Sequence, residues 1–142
     1  MIIFMLMHAH SDVTDSEKLL GFFRNREDCQ QAIEWYHDKP GFSEHLNGFI
    51  INKLTILDWD GCENIEEVFL LGYSYYELEE NGEIDIEENF GVYQHERNAL
   101  QEKERIILEG LQPYIQHPEG YYVDKHPIKK LHWQEGFETY YY

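Results

Sequence analysis

Four stretches of this chain recur in the same order further along it. Ile3-Phe4-Met5-Leu6-Met7-His8-Ala9-His10 is matched by Val68-Phe69-Leu70-Leu71-Gly72-Tyr73-Ser74-Tyr75, an offset of 65 positions. Gly21-Phe22-Phe23 is matched by Gly91-Val92-Tyr93 at an offset of 70, and Gly48-Phe49-Ile50-Ile51-Asn52-Lys53 by Gly120-Tyr121-Tyr122-Val123-Asp124-Lys125 at 72. Trp59-Asp60-Gly61 returns as Trp133-Gln134-Glu135-Gly136 at 74. A drifting offset with conserved order is what loop insertions into one copy of a duplicated unit produce. This constrains the fold strongly, because a unit of about 65 residues buries too little surface to be robust alone. The 142 residues are therefore expected to form a single domain of two structural repeats, 1–62 and 67–137, followed by an aromatic tail, 138–142.

Periodicity supplies the elements of each repeat. Residues 2–8 read as a buried strand, 11–17 as a polar loop and 18–24 as a second strand. Asn25 is a helix N-cap, with Glu27 and Asp28 in the first turn where the helix dipole favours negative charge. Cys29, Ala32, Ile33 and Tyr36 recur at helical spacing until Pro40-Gly41 stops the helix. Residues 48–57 form a third strand. In the second repeat, residues 68–76 are a strand, a long acidic loop runs through Gly82, and 86–94 contain the next strand. A helix covers 96–109, ended by Gly110 and Pro113, and the last strand begins at Gly120. The order strand, strand, helix, strand, read twice, predicts an α+β fold of about six mostly antiparallel strands. Two helices would cover one face of the sheet, with a pseudo-twofold relation between the halves.

Charge narrows the partners. Asp and Glu number 28 against 11 Lys and Arg, a net charge of -17. Such a surface repels nucleic-acid phosphates and anionic membranes and favours a basic protein partner. With 42% hydrophobic and 15% aromatic residues, the chain has ample material for a core and is no disordered acidic tail. Cys29 and Cys62 do not make a disulfide framework or a zinc spacing. The apolar start, residues 1–7, is too short to span a membrane and lacks a basic leader, so it reads as a strand in a cytoplasmic protein.

Two regions could carry chemistry. His8-Ala9-His10-Ser11-Asp12 places His8, His10 and Asp12 on one face of a strand, as a metal-dependent hydrolase would require. The matching positions in the second repeat are Tyr73 and Tyr75, however, which points to a site that takes aromatic rings in general, and the remaining histidines form no spaced pair on a helix. No phosphate loop, dinucleotide fingerprint or nucleophile elbow is present. No catalytic residue, metal or cofactor is therefore expected. The second region is acidic. Residues 54–96 contain no Lys or Arg, and seven carboxylates crowd into 77–88: Glu77, Glu79, Glu80, Glu83, Asp85, Glu87 and Glu88. The spacing is not that of a calcium loop. Such a segment is either a solvated mobile loop or, because unopposed charge of this density favours a basic occupant, a docking site for a basic protein with the adjacent Tyr73, Tyr75 and Tyr76 as aromatic anchors; binding of a cation is the third alternative. Trp133, Phe137 and residues 140–142 add further aromatic surface in the tail.

Lys18-Leu19-Leu20-Gly21-Phe22-Phe23, Pro40-Gly41-Phe42, Gly48-Phe49-Ile50-Ile51 and the ending His132-Trp133-Gln134-Glu135-Gly136-Phe137 resemble a small bacterial domain family without an assigned activity, here in two copies. The second copy carries Pro113-Tyr114 where Pro-Gly-Phe stands in the first. Small acidic bacterial proteins of this kind resemble immunity proteins that neutralise toxins passed between competing cells. The resemblance implies a non-enzymatic inhibitor that occludes the active site of a basic toxin, a nuclease above all. The alternatives are the His8/His10/Asp12 hydrolase and a regulatory or scaffold protein that self-associates.

Overall fold

In the computed structural model, residues 1–10 and 17–138 are described. The chain runs β1 (Ile2–His8), β2 (Lys18–Phe23), α1 (Arg26–Tyr36), β3 (Phe49–Thr55), β4 (Glu67–Glu79), β5 (Gly82–Tyr93), α2 (Glu96–Glu109) and β6 (Tyr121–Pro127). The class is α+β, with antiparallel pairing in both sheets. The strands do not join into one six-stranded sheet. They form two sheets of three, ordered β2-β1-β3 and β5-β4-β6. Each central strand finds both neighbours within its own stretch of sequence, and so each sheet closes locally.

The compact units differ at their ends from the repeats expected from sequence. The first unit comprises residues 2–55 and 127–142, and the second comprises residue 1 and 56–126. The segment after β6 belongs to the first unit because its backbone continues the β2 edge: Lys129 N donates to Phe22 O and His132 N to Leu20 O, both at 2.9 Å. Phe137 N donates to Pro40 O at 2.9 Å, and the Tyr36 hydroxyl donates to His132 O at 2.5 Å. The segment after β3 belongs to the second unit in the same way, through Leu57 N to Val92 O at 3.1 Å.

Within the first unit, Leu6, Leu20, Phe23, Cys29, Ala32, Tyr36 and Phe42 form the core. Burial pushes the Cys29 thiol up to about 11 and the Tyr36 phenol up to about 12. In the second, the core is Phe69, Leu71, Tyr73, Tyr93, Ala99, Ile106 and Tyr121. The helical stripe of α1 and its Asn25 cap are as expected, with Asn25 Oδ1 accepting from Asp28 N at 2.8 Å.

The cap of α2 was not legible locally. His95 stands at the cap position and makes no side-chain cap bond. Asp58, 37 positions earlier, does the work instead: its Oδ1 accepts from Gln94 N, and its Oδ2 from His95 N at 3.0 Å and Asn98 Nδ2 at 2.7 Å. Burial alone would raise the Asp58 carboxyl, but these bonds from Asn98, Gln94 and His95 outweigh it and hold the group below its ordinary value. Asp58→Ala strands two helix-end amides and is expected to cost about 2 kcal/mol, as strong caps do. Thermal unfolding of the variant checks this, and a change below about 0.5 kcal/mol, the scale of an ordinary surface substitution, would refute it.

Candidate functional site: an acidic hairpin

The acidic stretch expected as a loop is a β-hairpin. β4 and β5 pair without interruption from Gly72↔Asn89 to Glu79↔Gly82, leaving only Glu80 and Asn81 in the turn. Gly82 at φ 146 takes a backbone conformation that side chains resist. Ile84-Asp85-Ile86-Glu87 alternates in the manner of a strand, and its charge masks that signal.

Strand alternation then divides the carboxylates and tyrosines between two faces. One face carries Tyr73, Tyr75 and Glu77, opposite Glu88, Ile86 and Ile84. This is the supported face. Tyr73 is 1% exposed, so it is core and not an anchor for a partner, contrary to the reading from sequence. Its hydroxyl donates to His117 O at 2.8 Å. Tyr75 is half-buried and stacks on the His117 ring, centroids 3.9 Å apart and planes 14° apart. The Tyr75 hydroxyl donates to Glu77 Oε2 at 2.6 Å, and this bond, more than burial, pushes the phenol up to about 12. Glu77 Oε2 also lies 3.9 Å from His117 Nε2.

The opposite face carries Ser74, Tyr76 and Leu78, paired with Glu87, Asp85 and Glu83. All six are exposed, Tyr76 at 56% and Leu78 at 73%. The Tyr76 hydroxyl donates to Glu83 Oε2 at 3.0 Å. Glu79 and Glu80 lie at the tip and are exposed. Lysine and arginine ion pairs elsewhere include Lys39 with Asp38, Arg105 with Glu102 and Glu109, Lys125 with Glu67, and Lys129 with Asp28. Among the described residues no lysine or arginine forms an ion pair with Glu79, Glu80, Glu87 or Glu88. Sequence reasoning missed Leu78. Leu78 sits in what reads as a loop, and His117 reaches the hairpin only through the fold.

Of the His8/His10/Asp12 constellation, the structure describes His8 and His10. Asp12 lies outside the described residues. His8 is fully buried, with Nε2 2.8 Å from His45 O and its ring against Phe42, Phe49 and Phe137 at 4.9, 4.8 and 5.7 Å. His10 stacks on His45 at 4.5 Å. Burial holds the His8 imidazole below its ordinary value, partly offset by the bond to His45. Among the described residues there is no group of three His, Cys, Asp or Glu side chains placed to hold a metal. No helix of the described residues is long and apolar enough to cross a membrane.

Compared with known proteins, the chain matches no family model, no curated protein and no solved structure.

Proposed function

We propose that this chain is a non-catalytic, acidic inhibitor, an immunity protein that works in the cytoplasm by occluding the active site of a basic toxin, with a nuclease as the leading candidate. The observation that carries this reading is the hairpin of residues 74–87, whose carboxylates Glu79, Glu80 and Glu87 have no lysine or arginine ion pair among the described residues, while the chain as a whole carries -17. A nuclease holds phosphates with lysine and arginine, so an array of carboxylates on a rigid hairpin competes for the same groups. Complementary charge also speeds encounter.

The test uses as its probe a basic nuclease domain encoded beside this chain's gene, where one is found. Stoichiometric addition of the protein is expected to abolish that domain's nuclease activity, with association that slows as salt rises. Neutralising Glu79, Glu80, Asp85 and Glu87 to Gln or Asn is expected to lower the association rate by about tenfold or more and to flatten its salt dependence. Undiminished nuclease activity in the presence of excess protein rejects the reading.

The same proposal takes the two units as copies of one scaffold. In support, Leu6↔Gly21 and Leu71↔Gly91 precede the register shift in β1 and β4. His8 and Tyr73 each bond the carbonyl of a histidine three residues before a glycine, His45 and His117, at 2.8 Å. His8 packs edge-on against Phe42 and Phe49 at 4.9 and 4.8 Å, and Tyr73 against Tyr114 and Tyr121 at 4.8 and 4.9 Å. His10 stacks on His45 as Tyr75 does on His117. On this reading the acidic hairpin is the second copy's own elaboration: β1 and β2 end at His8 and begin at Lys18, whereas β4 and β5 run on to Glu79 and Gly82.

A further inference from the structure

We propose that the hairpin face carrying Ser74, Tyr76 and Leu78 over Glu87, Asp85 and Glu83 is the contact surface, and that it docks into a cationic protein cleft with an apolar floor that receives Tyr76 and Leu78. The proposal rests on the acidic-inhibitor reading above and assigns its recognition to one face of the hairpin. Tyr76 and Leu78 are two positions apart on one strand, so their side chains emerge on the same side about 7 Å apart. Both are large, and both remain mostly exposed, at 56% and 73%. The opposite face is otherwise engaged, since Tyr73 is core, Tyr75 lies on His117 and Tyr75 bonds Glu77. That support holds the distal strands in place and leaves one face to meet a partner.

Charge decides the occupant. The apolar pair is bordered across the strands by Glu83, Asp85 and Glu87. An anionic bilayer or a nucleic acid would be repelled by this border. A second copy docking face to face would bring the same carboxylates together. A cationic protein meets both requirements: its rim pairs with the carboxylates, and its floor buries the tyrosine and leucine. Anchors of this kind inside a charged border fit the anatomy of protein interfaces, in which a few desolvated side chains carry most of the affinity.

The full chain is tested with two synthetic peptides of equal length and equal positive charge, one an amphipathic helix of lysine and leucine, the other of lysine and serine. Binding is measured by fluorescence anisotropy at low and moderate salt. The wild-type protein is expected to bind both with salt-dependent affinity and to prefer the lysine–leucine peptide by about tenfold or more, a step of about 1.4 kcal/mol. The double variant Tyr76→Ser, Leu78→Ser is expected to lose the preference and to keep its affinity for the lysine–serine peptide. That retained affinity also reports an intact hairpin. A preference that survives in the double variant, or that never appears in the wild type, overturns the assignment of this face. Failure of either peptide to bind in a salt-dependent way overturns the acidic-docking reading beneath it.

Discussion

Gly48→Ala is expected to destabilise the first unit by about 3 kcal/mol, the upper end of the usual cost of overpacking, and Gly120→Ala to do the same to the second. A methyl on Gly48 would stand 2.3 Å from Ala9 O and 2.7 Å from His8 Nε2, and one on Gly120 would stand 2.7 Å from the Tyr73 ring and 3.0 Å from Ser74 O. In each unit part of the obstacle is backbone in a central strand or its continuation. Relief requires moving that strand away from its edge neighbour or expelling a buried ring. Either movement also strains a hydrogen bond that satisfies a buried side chain, His8 to His45 O or Tyr73 to His117 O. For a chain of this size the loss corresponds to a fall of roughly 10 °C in melting temperature. Single-tryptophan variants localise it, because Trp35 and Trp133 lie in the first unit and Trp59 in the second. If both substitutions change stability by less than about 0.5 kcal/mol, within the range of an ordinary surface change, the close approach of ring and glycine is not what holds these corners.

Acid is expected to loosen the first unit well before the second. Burial lowers the folded-state values of His8 and His132 below their ordinary 6.5. His8 is faced by Lys18, His45 and His10, all of which oppose a second positive charge, with only the His45 carbonyl favouring it. For His132 the added opponent is Lys130. The sign follows from proton binding. Below 6.5 the unfolded chain takes up protons that the folded unit refuses, so stability falls as pH drops through that window, by about 1.4 kcal/mol per pH unit for each histidine until the folded values are reached. Asp58, the cap of the second unit, has the same sign but a much lower window: its lowered value means that its contribution is complete above 3.8 and is lost only as pH falls through the lower folded value. On the proposed reading of the two units as copies, Tyr73 takes the place of His8, and its phenol, raised by burial, does not titrate in this range. Urea unfolding at pH about 7.5 and about 5.5, followed separately at Trp133 and at Trp59, should show a large drop for the first reporter and a small one for the second. His8→Tyr, which replaces the imidazole with a phenol that stays neutral in this range, is expected to remove a good part of that drop. Equal losses at the two reporters would refute the asymmetry.

The sequence determined the order of the elements and much of their chemistry. The helical stripe of Cys29, Ala32 and Tyr36, the Asn25 cap, the glycine stop at Gly110 and the fourfold recurrence between the two halves all rest on contacts within a few residues or on self-comparison. The density of carboxylates at 77–88, and the lack of Lys and Arg around it, were likewise plain from composition. Tertiary structure alone decided which segments complete which unit. That Leu57 extends the β5 edge, that Lys129 and His132 extend the β2 edge, and that Asp58 caps α2 depends on hydrogen bonds between groups far apart in the chain, backbone to backbone at the two edges and backbone to carboxylate at the cap. Any exposed strand edge offers the same donors and acceptors, so local pattern cannot select among them. The division of the acidic residues into a supported face and an exposed one has the same origin. Alternation dictates that neighbours point to opposite sides, but only the register of β4 on β5 and the arrival of His117 beneath Tyr75 fix which side is covered.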